Sequence, residues 1–215
     1  MTKAITLLLA LAGFLPLAQA QDANAGHQKA SMCMGCHGIP RYQASFPQVY
    51  KVPMISGQNA PYLVAALTEY KKGERRHPTM RAIAGSLTDK DMADLAAYFS
   101  GDVPATMKSA ADVTAPAPSP EVAALVARGA CTSCHGPGFN KPIAPTYPKL
   151  AGQHGDYLFA ALRAYASPDH ALVGRANAIM GAQVKQFKES ELKAIATYVA
   201  SLPGDVATVP ESRFR

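Results

Sequence analysis

Apolar residues recur at helical spacing in two segments of the first half of the chain. Residues 60–73 place apolar side chains at positions i, i+3, i+4 and i+7, namely Leu63, Ala66, Leu67 and Tyr70. Residues 88–101 form a second apolar face from Met92, Leu95, Ala96 and Phe99. Gly73 can end the first segment, and Thr88 is suited to cap the start of the second. The pattern therefore predicts two amphipathic helices.

The second half of the chain repeats this arrangement. The stretch VPMISGQNAPYLVAALTEY, residues 52–70, matches YPKLAGQHGDYLFAALRAY, residues 147–165. Further helices are therefore predicted at residues 24–32, 121–130, 156–165 and 189–202. No segment alternates convincingly between apolar and polar residues, so the predicted fold class is all-α.

The repeat predicts two homologous domains, at residues 21–101 and 121–215. Residues 102–120 are rich in Pro, Ala and Ser and lack apolar periodicity, which is typical of a semi-rigid linker. Three or four short helices in each domain bury little apolar surface, so a core of this size is marginal by itself. We therefore expect another group to complete the interior of each domain.

Residues 1–20 have the layout of a cleavable secretory signal peptide. Lys3 precedes an uncharged apolar run that leads to the small-residue ending Ala18-Gln19-Ala20. That run is shorter than the roughly 18 to 20 residues that a membrane-spanning helix needs. We therefore expect an exported, periplasmic protein, and association with the membrane face stays open. The formal net charge of +6 would suit nucleic acid, but the basic residues lack interleaved aromatics, so no nucleic-acid partner is expected.

The four cysteines lie in two copies of one motif. CMGCHG begins at Cys33 and CTSCHG begins at Cys131. A disulfide across two intervening residues would close a tiny loop and add little stability. A redox-active pair would need a thioredoxin-like βαβ context, which is absent, and structural zinc would need further ligands near each pair.

Covalent haem c accounts for every residue of the motif. Two thiols on one turn of helix can form thioethers with the haem vinyl groups, while the adjacent histidine turns towards the iron. The spacing therefore predicts two covalently bound haem c groups, with thioethers at Cys33, Cys36, Cys131 and Cys134. His37 and His135 are the predicted first axial ligands.

The sixth iron ligand is predicted from the repeat. Met80 and Met180 lie at matching positions in the segment between the two matched helices, which we expect to be irregular. Met54 has Lys149 as its counterpart and so fails this test. The remaining rivals are histidines that do not match one another between the domains: His77, His154 and His170. Bis-histidine ligation or an open iron therefore stays an alternative.

These motifs resemble the dihaem cytochrome c4 family over nearly the whole mature chain. The resemblance includes CMGCHG and CTSCHG, the SGQ and AGQ turns, YLVAAL and YLFAAL, and HPTM. It implies two class I cytochrome c-like domains in tandem, each wrapped around a haem with His/Met ligation. It also implies electron transfer in the periplasm between a quinol-oxidising complex, such as quinol-cytochrome c reductase, and a terminal oxidase or other reductase of the respiratory chain.

The two domains differ before the Gly-Gln turn. Eighteen residues (39–56) separate the motif from this turn in the first domain, against fifteen (137–151) in the second. This leaves open which proline carbonyl orients each histidine. The candidates are Pro47 and Pro53 in the first domain, and Pro145 and Pro148 in the second.

Electron transfer is the predicted function because a His/Met haem has no vacant position for a substrate. The chain is therefore expected to be an electron carrier and not an enzyme, with redox proteins as partners and no small-molecule substrate. A dihaem peroxidase would need an exchangeable position on one iron. A second alternative is a haem subunit of a larger dehydrogenase or oxidase complex.

A basic run lies beside one of the proposed ligands. The stretch KKGERRHPTMR, residues 71–81, ends one residue after Met80. Its basic residues are Lys71, Lys72, Arg75, Arg76 and Arg81. We expect either a surface patch that steers an acidic partner or an ordinary solvated loop.

Overall fold

Helices supply almost all of the regular structure. The computed structural model describes residues 21–101, 103–107 and 114–211, so the predicted signal peptide and part of the predicted linker lie outside the described residues. The helices of the first half are α1 (Ala23–Lys29), α2 (Ser31–His37), α3 (Ala60–Lys72), α4 (Pro78–Gly85) and α5 (Asp89–Phe99). Those of the second half are α6 (Pro120–Arg128), α7 (Cys131–His135), α8 (Gly155–Ala166), α9 (Ala178–Val184) and α10 (Glu189–Ser201).

The two amphipathic helices of the first half end and begin as predicted. Gly73 takes a left-handed conformation with φ of 80° and closes α3, a backbone region that glycine enters without steric cost. Thr88 and Asp91 form a capping box at the start of α5. The residues predicted for the apolar face of α5 are all buried, and Leu63, Ala66 and Tyr70 are buried on α3. Both helix predictions are confirmed.

Each half has its own apolar core. In the first half α1 and α3 pack against α5, around a cluster that includes Leu63, Met92 and Leu95. In the second half α6 and α8 pack against α10, around a cluster that includes Leu158 and Ile195. This arrangement confirms the predicted all-α class. None of the helices among the described residues has the length and apolar character needed to cross a bilayer.

Two local features differ from the sequence prediction. The longer segment of the first half contains a small antiparallel hairpin, β1 (Gln43–Ala44) and β2 (Tyr50–Lys51), in which Ala44 pairs with Tyr50. Strands of two residues are too short to show an alternating pattern, so no strand was predicted there. The segments that carry Met80 and Met180 are helical, in α4 and α9, and the expectation of irregular structure there was wrong.

The two halves meet through a reciprocal pair of glutamines. Gln58, of the first Gly-Gln turn, donates to the Lys149 carbonyl at 2.9 Å and accepts from the Lys149 N–H at 2.9 Å. Its counterpart Gln153 does the same for Met54, at 2.9 and 3.0 Å. Both glutamines are only 4% exposed. Because Met54 and Lys149 are equivalent in the repeat, the junction has local twofold character.

Candidate functional site

The four cysteines lie on the short helices α2 and α7, where they are half-buried and form no disulfide. Cys33 packs against the core of the first half and Cys131 against that of the second. Burial raises the pKa of Cys33 to about 11, with a further contribution from Cys36, and burial also raises the pKa of Cys131. Each motif therefore presents its first thiol in protonated form beside an apolar core.

Each motif histidine is oriented by a backbone carbonyl. The Nδ1 atom of His37 lies 2.8 Å from the Pro53 carbonyl oxygen, and that of His135 lies 3.2 Å from the Pro148 carbonyl oxygen. A carbonyl only accepts, so Nδ1 must carry the proton, which leaves the lone pair of Nε2 available to a metal. Burial lowers the pKa of both histidines, partly opposed by the carbonyls, and so favours the neutral form.

These contacts answer the question that the prolines left open in the sequence. Pro53 and Pro148 hold the same place in the repeat, immediately before Met54 and Lys149. Pro53 and Pro148 are therefore chain neighbours of Met54 and Lys149. These neighbours are the residues that the junction glutamines contact.

Met80 and Met180 occupy the same position in equivalent helices. Each is the third residue of its helix and is half-buried. The Met80 N–H donates to His77 Nδ1 at 3.3 Å, and the Met180 N–H donates to Asn177 Oδ1 at 3.0 Å. These side-chain caps, together with Pro78 at the start of α4, explain why the two segments are helical.

Two of the three rival histidines use their Nδ1 atoms to cap backbone N–H groups. His77 accepts through Nδ1, so its neutral form carries the proton on Nε2 and lacks a free lone pair there. Burial lowers the pKa of His77, and the positive charges of Arg175 and Arg75 lower it further. His170 is exposed and its Nδ1 accepts from the Leu172 N–H. His154 lies at the start of α8, and its buried Nε2 has no hydrogen-bond partner among the described residues.

The donor set suits haem better than a metal ion alone. Among the described residues, no group of three or more His, Cys, Asp or Glu side chains could hold a metal ion, so the extra ligands for structural zinc are not supplied. Each half instead offers two thiols, one neutral imidazole with a free Nε2, and one thioether. This is the set that covalent haem c with His/Met ligation uses.

Sequence analysis missed two candidates, Arg75 and Arg175, and for Arg75 the reason is that its charge run was interpreted as a surface feature. Arg75, expected on an exposed patch, is 4% exposed and lies inside the junction. Arg76 donates to the Asp169 carbonyl of the other half at 2.6 Å. Arg175 is 9% exposed and pairs with Arg75 in an isolated antiparallel bridge. The repeat carried the signal, since each arginine lies five residues before Met80 or Met180.

Comparison with known proteins gives consistent results. A family model described as Cytochrome c matches residues 121–203. The chain is 30% identical to "Cytochrome c4" of Azotobacter vinelandii, over 94% of this chain and 100% of that protein. It is also 30% identical to a "Thiosulfate dehydrogenase electron acceptor" of Stutzerimonas stutzeri, over 91% of this chain and 94% of that one. The solved cytochrome c4 structure of Acidithiobacillus ferrooxidans superposes with a TM-score of 0.62 at 29% identity, covering 80% of this chain and 99% of that one.

Proposed function

Since this chain belongs to the cytochrome c4 family of dihaem electron-transfer proteins, we propose that it is exported and carries electrons between redox proteins in the periplasm. The layout of residues 1–20 supports export. The proposed donor is a quinol-oxidising complex, and the proposed acceptor is a terminal oxidase or another reductase.

We assign the haem-binding residues half by half. In the first half, Cys33 and Cys36 form the thioethers while His37 and Met80 are the axial ligands. In the second half the corresponding residues are Cys131, Cys134, His135 and Met180. When bound, haem c supplies a one-electron couple.

One observation carries this assignment: the groups that contact the proposed iron ligands lie at equivalent positions in both halves. Each motif histidine is bonded to the proline carbonyl at the equivalent position, 2.8 Å for His37 and 3.2 Å for His135. Each proposed methionine ligand follows an N-cap side chain at the equivalent position, His77 or Asn177. Partners that fix the tautomer and orientation of a ligand are typical of functional metal sites.

The protein's contribution to electron transfer is to hold the haem ligands in place. The proline carbonyls fix the imidazole rings, and the capped helices fix the methionines. A methionine ligand raises the reduction potential of haem iron, which suits a late respiratory carrier. Because His37 and Met80 would hold one iron and His135 and Met180 the other, neither haem would offer a position for substrate, which argues against a peroxidase.

The proposal is tested by following haem reduction optically with purified protein. Membranes containing the quinol-oxidising complex should reduce it in the presence of quinol, at a rate proportional to its concentration. Membranes containing the terminal oxidase should then reoxidise it. Inhibition of each complex serves as the matched control, and reduction that persists under inhibition would count against these partners.

A second role is favoured by one specific relative. The match to a thiosulfate dehydrogenase electron acceptor supports a chain that receives electrons within a dehydrogenase complex. Reduction by a purified dehydrogenase and co-elution with it, together with no reduction by the quinol-oxidising membranes, would favour this role. Purification as a free protein with the opposite kinetic result would favour the shuttle.

A further inference from the structure

The first half carries an exposed apolar surface on the hairpin of β1 and β2 and the residues just before it. Among the described residues, nine large apolar side chains are exposed, and four of them lie between residues 39 and 49. These four, here called the hairpin surface, are Ile39, Tyr42, Phe46 and Val49. Phe46 and Val49, in the turn of the hairpin, are 58% and 66% exposed. Exposed apolar side chains concentrated in this way are typical of an interaction site.

Hydrogen bonds at the base of the hairpin hold this surface in place. The Val52 N–H donates to the Tyr42 carbonyl at 2.8 Å. The Lys51 N–H donates to Asp156 Oδ2, in the second half, at 3.1 Å, and the Lys51 ammonium bonds the same oxygen at 2.9 Å. Because the second half already fixes the hairpin, a partner that binds there does not bear the entropic cost of ordering it.

The hairpin contacts both segments that carry the proposed haem residues of the first half. The Ile39 N–H donates to the Cys36 carbonyl at 3.4 Å, which ties the hairpin surface to the haem motif. The Tyr50 ring packs edge-on against that of His77, with ring centroids 6.5 Å apart, and His77 caps the helix of Met80. A protein docked on the hairpin surface is therefore next to the haem-binding segments of the first half.

Positive charge flanks the hairpin surface. Arg41 is exposed and is the one charged residue between positions 39 and 49. Arg76 lines the same small cavity as Gln48, which lies in the turn of the hairpin. Among the described residues, neither Arg41 nor Arg76 makes a salt bridge with a carboxylate. A complementary partner therefore presents apolar side chains beside carboxylates.

The second half does not repeat this surface. Its matching segment has fifteen residues (137–151) against eighteen (39–56) in the first half, and it forms no strand in the part of the chain that the structure describes. That segment carries one exposed large apolar side chain, Ile143, where the first half has four. The two halves therefore offer different surfaces to a partner.

We propose that the hairpin surface is the docking site for one of the two redox partners, a protein whose docking face has an apolar patch bordered by carboxylates. This inference rests on the proposed function, since it assigns a surface to electron transfer between redox proteins. The hairpin surface is much smaller than the roughly 20–30 residues that each side of a stable interface provides, and small interfaces are typical of transient electron-transfer complexes. One partner therefore docks at the first half, and the second half is left to the other.

The test compares Phe46→Ser, Val49→Ser and Arg41→Glu with Ile143→Ser, all as haem-loaded protein. Ile143 is 69% exposed and lies in the matching segment, so it controls for the loss of an exposed apolar side chain. Stopped-flow spectroscopy gives the second-order rate constants for reduction by the detergent-solubilised quinol-oxidising complex and for oxidation by the detergent-solubilised terminal oxidase. A redox titration of the same samples checks that the haem potentials are unchanged.

We expect Phe46→Ser and Val49→Ser each to lower the rate constant with one of the two complexes by about tenfold, because each variant loses an apolar side chain that the complex would bury. The rate constant with the other complex and both potentials should stay at their wild-type values. Arg41→Glu should weaken the fall of the affected rate constant with rising ionic strength. Ile143→Ser should retain the full rate constant with that complex.

Wild-type rate constants with both complexes in Phe46→Ser and Val49→Ser would overturn the proposal, and so would an equal loss in Ile143→Ser. Co-sedimentation with phosphatidylglycerol vesicles covers the lipid alternative: vesicle binding that depends on Phe46, with unchanged rate constants, would assign the surface to a membrane instead. Arg41→Glu keeps the test decisive if an apolar variant fails to fold. Normal wild-type rates with unaffected variants refute the hairpin surface alone, whereas wild-type protein that reacts with neither complex refutes the proposed function.

Discussion

At the residue scale, each motif histidine and each proposed methionine ligand has a counterpart that makes an equivalent contact in the other half. The sequence was sufficient to identify the cysteines, the histidines and the two methionines as candidates, because all lie in register with the repeat. The proline that orients each histidine was not predictable. Two prolines were available in each half, and only the fold brings the Pro53 and Pro148 carbonyls to Nδ1.

The methionine assignment predicts that each single substitution removes only part of one absorption band. Met80→Ala and Met180→Ala should each remove about half of the ferric charge-transfer band that reports methionine sulfur on iron. The caps of α4 and α9 bind backbone N–H groups, so alanine should leave both helices intact. Met54→Ala, which changes a methionine without a methionine counterpart, should retain the full band. A full band in Met80→Ala would disprove the first-half assignment.

His77 and Asn177 provide a second test at the same scale. Because both side chains cap a helix at the same position, His77→Asn should preserve the cap, the stability and the methionine band. The comparison is electron paramagnetic resonance of the ferric wild-type and variant proteins. A change of axial ligation in His77→Asn, with none in Met80→Ala, would instead identify His77 as the ligand.

At the scale of helices, strong periodicity predicted the long elements and weak periodicity concealed the short ones. The bounds of α3 and α5 follow from Gly73 and from the Thr88 cap, both visible in the sequence. The hairpin formed by β1 and β2 and the helical turns of α4 and α9 are each too short for a periodic signal. These short elements depend on side-chain caps and on tertiary packing, which the periodicity of apolar residues does not show.

The contact between α1 and α5 gives a prediction for pH. Gly26 allows α1 to approach the Asp94 carbonyl of α5, where a Cβ would collide. The Asp94 carboxylate is fully buried and binds Lys29 at 2.8 Å and Lys90 at 2.9 Å. These hydrogen bonds, with Lys29 foremost, lower the pKa of Asp94 to about 2, against about 3.9 for an unfolded chain.

Because the folded-state pKa lies below the unfolded value, Asp94 stabilises the fold above about pH 4 and loses this effect as the pH falls towards 2. Asp94→Asn should therefore lower the urea midpoint at pH 6, and the difference from wild type should shrink between about pH 4 and pH 2. Asp89→Asn, at an exposed acid in the first turn of the same helix, is the control. A midpoint difference that stays constant down to pH 2 would contradict this role.

At the scale of the whole molecule, the similarity to solved cytochrome c4 confirms the predicted tandem of class I cytochrome c-like units. The domain boundaries at residues 21–101 and 121–215 stay a prediction. The relation between the halves was beyond sequence reasoning, because the repeat shows that two units exist but not which surfaces meet. Arg75 illustrates the difficulty: its neighbours in sequence are charged, whereas its neighbours in space are tyrosines.

The glutamine pair predicts that removing either glutamine weakens protection from hydrogen exchange in the opposite half. Gln153→Ala removes the partner of the Met54 N–H, and Gln58→Ala removes that of the Lys149 N–H, each in the opposite half. Each buried backbone group left without a partner should cost about 1–3 kcal/mol. Hydrogen exchange should therefore speed up at Met54 in the first variant and at Lys149 in the second.

Gln186→Ala is the control for the glutamine pair, since among the described residues this exposed side chain bonds only to Gln183, in its own turn. Small-angle scattering of the double variant should show a larger radius of gyration than that of wild type. Unchanged exchange at Met54 and Lys149 would mean that other contacts hold the junction.

The central claim is that this chain binds two haems through the four cysteines of its two motifs. It is tested most directly by mass spectrometry of the denatured mature protein from a host that matures c-type cytochromes, followed by peptide mapping. The predicted result is two covalent haems, one on the peptide with Cys33 and Cys36 and one on the peptide with Cys131 and Cys134, with all four thiols resistant to alkylation. A single haem, haem released on denaturation, or alkylation of any of these thiols would contradict it.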